Sequence, residues 1–276
     1  MSTIQIERYP ALGAEILGVD TLRLLEDDDL PALVLDALED NGVVVFRDLH
    51  LDDETQVAFC RRLGDIVELP GSELPGIFRV SLDPDISPMA AYLRGTFDWH
   101  IDGATVKEAP VKATVLTAHA VAEVGGETEF ASTYAAYDNL TDDEKERFES
   151  VRVLHSVEAT LRLPNPNPTP DEQAVWRELP RTEHPLVWRH RSGRRSLVLG
   201  ATALSIVDMD FDEGRALLAE LLARSTARDR VYRHEWSVGD TVIWDNRGVL
   251  HRALPYADKS PRDMHRTTLV GDETIA

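Results

Sequence analysis

Short runs in which apolar residues alternate with polar ones, or follow one another, dominate the pattern of this chain. Residues 4–20 partly alternate, residues 42–46 are apolar on both faces, and residues 231–236 alternate again. Runs of this kind, bounded by Gly, Pro and Asp, are typical of β-strands. The same pattern predicts further strands at 77–80, 113–118, 151–157, 185–190, 196–199, 241–244 and 266–270, and another after a turn at 125–130.

Apolar residues at helical spacing predict helices between these strands. The helical segments are 22–41, about 52 to 63, 132–139, 141–150 and 212–226. Residues 67–95 and 165–170 are predicted to be loops, because Pro and Gly are frequent there and no periodicity is visible. Without an internal linker, this order predicts a single domain over residues 1–276. Its fold class is mainly β with inserted helices, around a jelly-roll (double-stranded β-helix) or barrel-like core.

The composition of the chain argues against several kinds of binding partner and metal site. Acidic residues outnumber basic ones 49 to 29, and the formal net charge of −20 argues against nucleic acid or an anionic membrane as a partner. Cys60 is the only cysteine, which excludes an intrachain disulfide and a thiolate cluster. No basic-then-apolar start and no membrane-length apolar run are present. We therefore expect a cytoplasmic protein.

The candidate chemistry begins at residues 97–103, Phe-Asp-Trp-His-Ile-Asp-Gly. His100 and Asp102 are two positions apart, so on a β-strand both side chains face the same way. They would supply two of the three ligands of a 2-His-1-carboxylate iron site. A second His-x-Asp, His50 to Asp52, precedes a predicted helix, where Asp52 or Asp53 is better suited to capping than to metal binding.

Three further candidate residues lie near the end of the chain, one histidine and two arginines. His251 follows an apolar pair after a predicted strand, a position suited to an inward-facing imidazole. From the residues alone, a structural histidine is the simpler interpretation. Arg262 and Arg266 are four positions apart on a predicted terminal strand, which would place them on one face. They either bind anions or are two surface arginines of an acidic protein.

Several blocks together resemble a known family. They are W-H-x-D at 99–102, G-G-E-T-E-F at 125–130, W-D-N-R at 244–247, His251, and R-x-x-x-R-T-T-L at 262–269. With G-A-E-I-L-G-V-D at 13–20 and H-P-L-V at 184–187, the sequence resembles the taurine dioxygenase/2,4-D dioxygenase family of Fe(II)- and 2-oxoglutarate-dependent oxygenases. The order and spacing of the blocks extend the resemblance over almost the whole chain.

The resemblance implies a role for each matching residue. His100, Asp102 and His251 would ligate Fe(II). Arg262 would pair with the distal carboxylate of 2-oxoglutarate, helped by the Thr128 hydroxyl. The implied reaction consumes O2, converts 2-oxoglutarate to succinate and CO2, and hydroxylates a second substrate.

The resemblance also implies which residues surround the primary substrate. Arg266 would meet its anionic head, and Thr96 would lie close to it. Trp99 and Trp244 would form walls of the site. The two polar residues after Trp244, Asp245 and Asn246, would either orient the ligands or only shape a turn.

Substrate identity stays open. Members specific for taurine have Asn where this chain has Thr96, and an upstream histidine that residues 66–76 lack. These differences argue against taurine and leave an organosulfonate, an alkyl sulfate or an aryloxyalkanoate. Two alternatives are a hydroxylase of an amino acid or natural-product intermediate and a non-enzymatic metal-binding β-barrel. The resemblance also implies a homodimer or homotetramer.

Overall fold

A computed structural model describes residues 3–68, 74–87, 89–163, 165 and 167–276. Its strands are β1 (Gln5–Arg8), β2 (Ala14–Leu17), β3 (Val43–Phe46), β4 (Phe78–Val80), β5 (Ala113–Ala120), β6 (Thr128–Ser132), β7 (Arg152–Ser156), β8 (Arg181–Pro185), β9 (Val187–Arg189), β10 (Arg195–Leu197), β11 (Ala203–Ile206), β12 (Val231–His234), β13 (Thr241–Asp245), β14 (Val249–Ala253) and β15 (Asp263–Leu269). The α-helices are α1 (Thr21–Glu26), α2 (Leu30–Asn41), α3 (Asp53–Leu63), α4 (Ala90–Leu93), α5 (Thr133–Asp138), α6 (Asp142–Phe148), α7 (Val157–Arg162), α8 (Pro170–Arg177) and α9 (Phe211–Ser225). Short 3-10 helices cover Arg94–Phe97 and Arg228–Arg230.

The largest sheet has seven strands in the order β1-β2-β3-β13-β5-β15-β4. Its central strands pair antiparallel, β13 with both β3 and β5, and β15 with β5 and β4. Both faces of this sheet are covered, which explains why β3 is apolar at every position. Val44 and Phe46 pack with the helices α1 to α3, whereas Val43 and Val45 pack on the opposite side.

A three-stranded sheet, β12-β6-β14, lies against that opposite side. Phe130 from β6 and Val249 from β14 are fully buried against Leu116 and Trp244 of the large sheet. This layer of side chains between two sheets is the part of the core that surrounds the candidate site. A second group of sheets and helices, β11-β7-β8, β10-β9, α5 and α9, closes the end near His100.

Most predicted elements are confirmed, and the fold is mainly β with inserted helices as expected. The prediction of one helix over 22–41 is wrong. The chain forms α1 and α2 separately, because Asp27 ends the first helix and Pro31 stands in the first turn of the second.

Three helices were not predicted: the short α4, which lies in the segment 67–95 predicted as a loop, and α7 and α8. The helix α7 follows β7 directly, and α8 begins at Pro170, inside the segment predicted as the most loop-like. A capping box between Thr169 and Glu172 starts α8, so its proline serves as an initiator rather than a breaker. Within the described residues, none of the helices has both the length and the apolar character needed to cross a membrane.

His155 on β7 gives the fold a specific sensitivity to acid. Its side chain is fully buried, and burial, reinforced by nearby His184, lowers its pKa to about 3. Its Nδ1 lies 2.9 Å from the Thr202 hydroxyl. Because the unfolded chain has a histidine pKa of about 6.5, the stabilisation by neutral His155 is complete above that pH and is lost as the pH falls toward 3.

We predict that His155 alone causes the free energy of unfolding to fall by about 2 kcal/mol when the pH is lowered from 7.5 to 5. Urea unfolding at both pH values measures the loss for the wild type and for His155→Gln. The variant should lose about 2 kcal/mol less over the same interval. Equal losses in the two proteins would show that His155 titrates normally in the fold.

Candidate functional site

His100 and His251 are brought together by the backbone. They form an isolated antiparallel bridge in which each backbone amide donates to the carbonyl of the other at 3.0 Å. Their rings lie 4.2 Å apart, centroid to centroid. The expected strand over 97–103 is therefore reduced to one bridge residue, and Asp102 lies in the turn that follows it. The turn still directs Asp102 toward the two imidazoles.

The three predicted ligands converge on one point. His100 Nε2 lies 3.9 Å from Asp102 Oδ1, and His251 Nε2 lies 3.9 Å from Asp102 Oδ2. One donor atom from each residue falls within 4.8 Å of the others. Donors bound to one metal at about 2.1 Å lie roughly 3 Å apart, so small side-chain rotations suffice for all three to bind. Two imidazoles and one carboxylate fit a divalent first-row metal.

The protonation of these groups favours metal binding. His100 Nδ1 lies 2.8 Å from the Asp98 carbonyl and donates to it, which leaves the lone pair of Nε2 for a metal. Burial lowers the pKa of His251 to about 3 and keeps the imidazole neutral. Burial opposes ionisation of Asp102, but His251, Arg266 and His100 prevail and lower its pKa to about 2. A neutral histidine and an ionised carboxylate are the forms that ligate metals.

A chain of hydrogen bonds holds Asp102 from behind. The Thr114 hydroxyl donates to Asp102 Oδ2 at 3.2 Å and accepts from Asn246 Nδ2 at 2.9 Å. Asn246 Oδ1 in turn accepts from the Trp244 indole at 3.0 Å. Asn246 thus acts on a ligand through Thr114, whereas Asp245 binds Arg247 and shapes the turn. Thr114 was missed because its only signal is a hydroxyl within an apolar strand.

Thr114→Val is predicted to weaken divalent-metal binding by about 10- to 100-fold, because the variant keeps the shape of the side chain but not its bond to Asp102. A Mn²⁺ titration of the metal-free protein measures the change. Thr117→Val is the matched control, since Thr117 is equally buried but pairs with Thr241 at 2.9 Å. An unchanged affinity in Thr114→Val would remove the orienting role.

Arg262 is a buried cation that lacks a carboxylate partner among the described residues. Its side chain bonds the Gly126 carbonyl at 3.2 Å and the Tyr256 hydroxyl at 3.4 Å, and burial lowers its pKa. An unpaired buried guanidinium is a costly group unless an anion binds it. At Gly126, φ is +79° and a Cβ atom would come within 3.0 Å of Arg262 Cδ, so glycine is required for this close approach.

Thr128 lies two positions beyond Gly126 and is also buried. Its hydroxyl oxygen accepts from the Trp236 indole at 2.9 Å, which leaves the hydroxyl hydrogen free to donate to a carboxylate. Arg262 and Thr128 are therefore both chemically suited to hold the carboxylate of a bound ligand. Their joint contact with 2-oxoglutarate stays a prediction.

Arg266 lies beside the ligand group. Its Nη1 is 3.9 Å from Asp102 Oδ2, and its guanidinium lies 4.8 Å from the centre of the Phe78 ring. Its Nε is buried without a hydrogen-bond partner among the described residues. A cavity of about 210 Å³ opens here. Its lining includes Asp102, Gly103, Val111, Phe78, Arg266 and Thr268.

Arg262 and Arg266 contact different groups, and that their side chains share one face of a strand stays a prediction. Arg262 precedes β15, and the pairing of β15 with β5 shifts register between Asp263 and Met264. The two guanidinium groups therefore have separate surroundings, one against Gly126 and the other against Asp102. This separation suits two different anions rather than one.

Two further sequence candidates have clear positions. Thr96 lies on the short 3-10 helix, and its hydroxyl donates to the Leu93 carbonyl at 2.7 Å, so a substrate contact by Thr96 stays a prediction. The rival pair at 50–52 has the expected capping role. Asp52 accepts from the Thr55 amide at 2.8 Å and caps α3, and His50 lies exposed beside Asp48.

The chain is similar to known proteins over nearly its whole length. The profile of the family described as "Taurine catabolism dioxygenase TauD, TfdA family" matches residues 5–268. A 2,4-dichlorophenoxyacetate dioxygenase, alpha-ketoglutarate-dependent, from Cupriavidus pinatubonensis is 32% identical, with 100% of both chains covered. An alpha-ketoglutarate-dependent sulfate ester dioxygenase from Pseudomonas putida is 32% identical over 99% of this chain and 92% of its own. The crystal structure of AAD-2 in complex with Mn(II) and N-oxalylglycine has a TM-score of 0.84, at 31% identity and with 100% of both chains covered.

Proposed function

The chain belongs to the taurine catabolism dioxygenase (TauD, TfdA) family, and from that premise we propose that it hydroxylates a small anionic organic compound in an Fe(II)- and 2-oxoglutarate-dependent reaction. The observation that carries the proposal is the convergence of His100, Asp102 and His251 next to Arg266. The relatives named above act on an aryloxyalkanoate and on sulfate esters, both small anions.

His100, Asp102 and His251 would hold the iron. With 2-oxoglutarate and O2, the bound metal supplies the oxidising chemistry that replaces a C–H bond by C–OH and yields succinate and CO2. The protein positions the groups through Thr114, which fixes Asp102, and through the Asp98 carbonyl, which fixes His100. Phe130 and Trp244 are buried against His251 and screen this side of the site from water. That Trp99 forms a wall of the site stays a prediction.

Arg262 would bind the distal carboxylate of 2-oxoglutarate in a charge-assisted pair, with Thr128 as the second donor. Its burial without a carboxylate partner among the described residues supports this role, since the cosubstrate would neutralise it. Because the Arg262 guanidinium is already buried, binding of the cosubstrate is expected to remove little further water from it. The cationic pocket is thus prepared before the ligand arrives.

Arg266 would hold the anionic group of the substrate. The cavity beside it, at about 210 Å³, is smaller than the sites of drug-sized ligands and suits a compact molecule. The Phe78 ring gives it an apolar wall, which fits an alkyl or aryl tail. If the hydroxylated carbon carries an ether or ester oxygen, the product collapses to a carbonyl compound and releases that oxygen with its group. An aryloxyalkanoate or an alkyl sulfate is therefore the proposed substrate class.

The remaining expectations are also proposals. The two facing sheets around the ligands support a double-stranded β-helix core. A family match that runs from residue 5 to residue 268 supports a single domain.

The proposed reaction is tested by succinate release under air, with Fe(II), 2-oxoglutarate and a panel of aryloxyacetates, alkyl sulfates, sulfonates and matched neutral alcohols. We expect turnover with at least one anionic class and little with taurine or with the neutral compounds. Turnover of neutral compounds alone would overturn the role of Arg266. No succinate above the metal-free background with any compound would overturn the proposed reaction.

A further inference from the structure

A second group of metal-ligating side chains lies on the opposite face of the large sheet. It comprises Asp53 at the first position of α3, His119 on β5 and His265 on β15. Donor atoms from the three residues lie within 4.8 Å of one another. Side chains alternate along β15, so His265 faces α3 whereas its neighbour Arg266 faces the cavity beside Asp102. This group is therefore separate from the iron ligands.

The geometry within this group is close. The His119 and His265 rings stack with centroids 3.7 Å apart and an interplanar angle of 21°. His119 Nε2 lies 3.9 Å from Asp53 Oδ1, and His265 Nδ1 is hydrogen-bonded to the same carboxylate. The distance from His119 to Asp53 equals each of the two His-to-Asp distances in the group of His100, Asp102 and His251, which are 3.9 Å.

A fourth side chain fixes the orientation of His265. Its Nε2 lies 3.4 Å from Asp263 Oδ2, and Asp263 is itself held by Arg79 Nε at 3.2 Å. A carboxylate that accepts from one ring nitrogen of a histidine leaves the other nitrogen for a metal, and such carboxylate–histidine–metal chains are common in metal sites. Here the remaining nitrogen, Nδ1, is the one that faces Asp53.

Hydrogen bonding alone accounts for only part of this arrangement. A protonated His265 between Asp53 and Asp263 explains those two contacts. It does not explain His119, whose Nε2 is buried with no hydrogen-bond partner among the described residues. A buried acceptor without a partner is unfavourable, and a cation placed between the three donors would satisfy it.

We propose that Asp53, His119 and His265 form a second divalent-metal site. Two imidazoles and one carboxylate select a borderline first-row ion such as Zn²⁺ over Mg²⁺ or Ca²⁺, which prefer oxygen ligands. The ion takes the place of the proton that His265 shares with Asp53. It links α3 to β5 and β15, the strand that also carries Arg266.

Metal stoichiometry tests this proposal in the full-length protein. After removal of metals by EDTA, the chain is dialysed against Zn²⁺ and the bound zinc is measured by mass spectrometry. We expect two equivalents in the wild type, one in His119→Ala, one in His100→Ala and none in the double variant. His50→Ala, at an exposed histidine paired with Asp48, is the matched control and should keep both.

The pattern separates this proposal from the proposed function. Two equivalents in His119→Ala would overturn the second site. One equivalent in His119→Ala together with two in His100→Ala would support the second site and contradict the iron ligands instead. A thermal unfolding midpoint of His100→Ala that rises with Zn²⁺, with no rise in the double variant, is the expected companion result.

A structural readout on the wild type does not depend on how any variant folds. Crystals of the wild type soaked in Zn²⁺ should show an anomalous peak bonded to Asp53, His119 and His265. Asp53→Asn, a nearly isosteric change at the partly exposed start of α3, should lose that peak alone. A wild-type crystal with zinc at the His100 site and none between His119 and His265 would overturn the proposal.

Discussion

Replacing His251 with alanine is expected to lower 2-oxoglutarate-dependent succinate formation by more than about 100-fold, beyond the effect typical of residues that only orient a ligand. The imidazole is neutral and buried, and its Nε2 lies 3.9 Å from Asp102 Oδ2. Its loss leaves one imidazole and one carboxylate, which bind a divalent metal much more weakly than three ligands do. Succinate formation and Mn²⁺ affinity should fall together.

His50→Ala is the control, because His50 belongs to the second His-x-Asp of the chain but is exposed and bonded to Asp48. It should keep wild-type activity and affinity. Equal losses in the two variants would mean that the ligand group is misassigned. Circular dichroism of His251→Ala separates metal loss from unfolding.

Replacing Arg262 with methionine is expected to raise the KM for 2-oxoglutarate by about 30-fold to several thousand-fold. Removing one partner of a buried charge pair costs about 2–5 kcal/mol, and the distal carboxylate would then enter a pocket without its cation. Steady-state kinetics at saturating Fe(II) measures the change. The effect on kcat should be much smaller, because the residue binds the end of the cosubstrate remote from the reacting carbons.

The thermal stability of Arg262→Met provides a second readout. Without cosubstrate the wild type buries a guanidinium that has no carboxylate partner in the described part of the chain, and an apolar side chain of similar length should keep or raise the unfolding midpoint. Arg61→Met, at an exposed arginine paired with Glu68, is the control and should leave KM unchanged. A KM for 2-oxoglutarate that stays at the wild-type value in Arg262→Met would place the carboxylate elsewhere.

Much of the site was predictable because each part has a local signal. The apolar pair before His251 indicates a strand that directs its imidazole inward, and His251 does lie on β14. The two-residue spacing of His100 and Asp102 brings both to one point, although Asp102 lies in a turn and not on a strand. The capping role of Asp52 follows from its position at a helix start. The geometry that joins His100 to His251 is a single bridge between distant segments, and local periodicity contains no information about such pairing.

The separate surroundings of Arg262 and Arg266 could not be predicted for a related reason. A four-residue spacing gives one face only on a regular strand, and here Arg262 precedes the strand and a register shift follows it. Thr114 likewise has no local signal, since its role depends on which side chain lies opposite. In both cases the decisive contact is between residues far apart in sequence.

Asp53, His119 and His265 illustrate the same limit. The three lie on three different elements, and for each of them a structural role is the simplest interpretation of the local sequence. Only the packing of α3 against β5 and β15 brings the three together. The split of helix 22–41 into α1 and α2 was more accessible, because Pro31 follows a run of acidic residues in the sequence.

A crystal structure with Mn(II) and N-oxalylglycine, an isostere of 2-oxoglutarate, would show which residues hold the metal and which hold the cosubstrate. We expect a manganese peak bonded to His100 Nε2, Asp102 and His251 Nε2, with the distal carboxylate of the ligand on Arg262 and Thr128. The guanidinium of Arg266 should remain free to face the substrate cavity. Manganese away from these three residues, or a distal carboxylate bound by Arg266 with Arg262 still unpaired, would contradict this expectation.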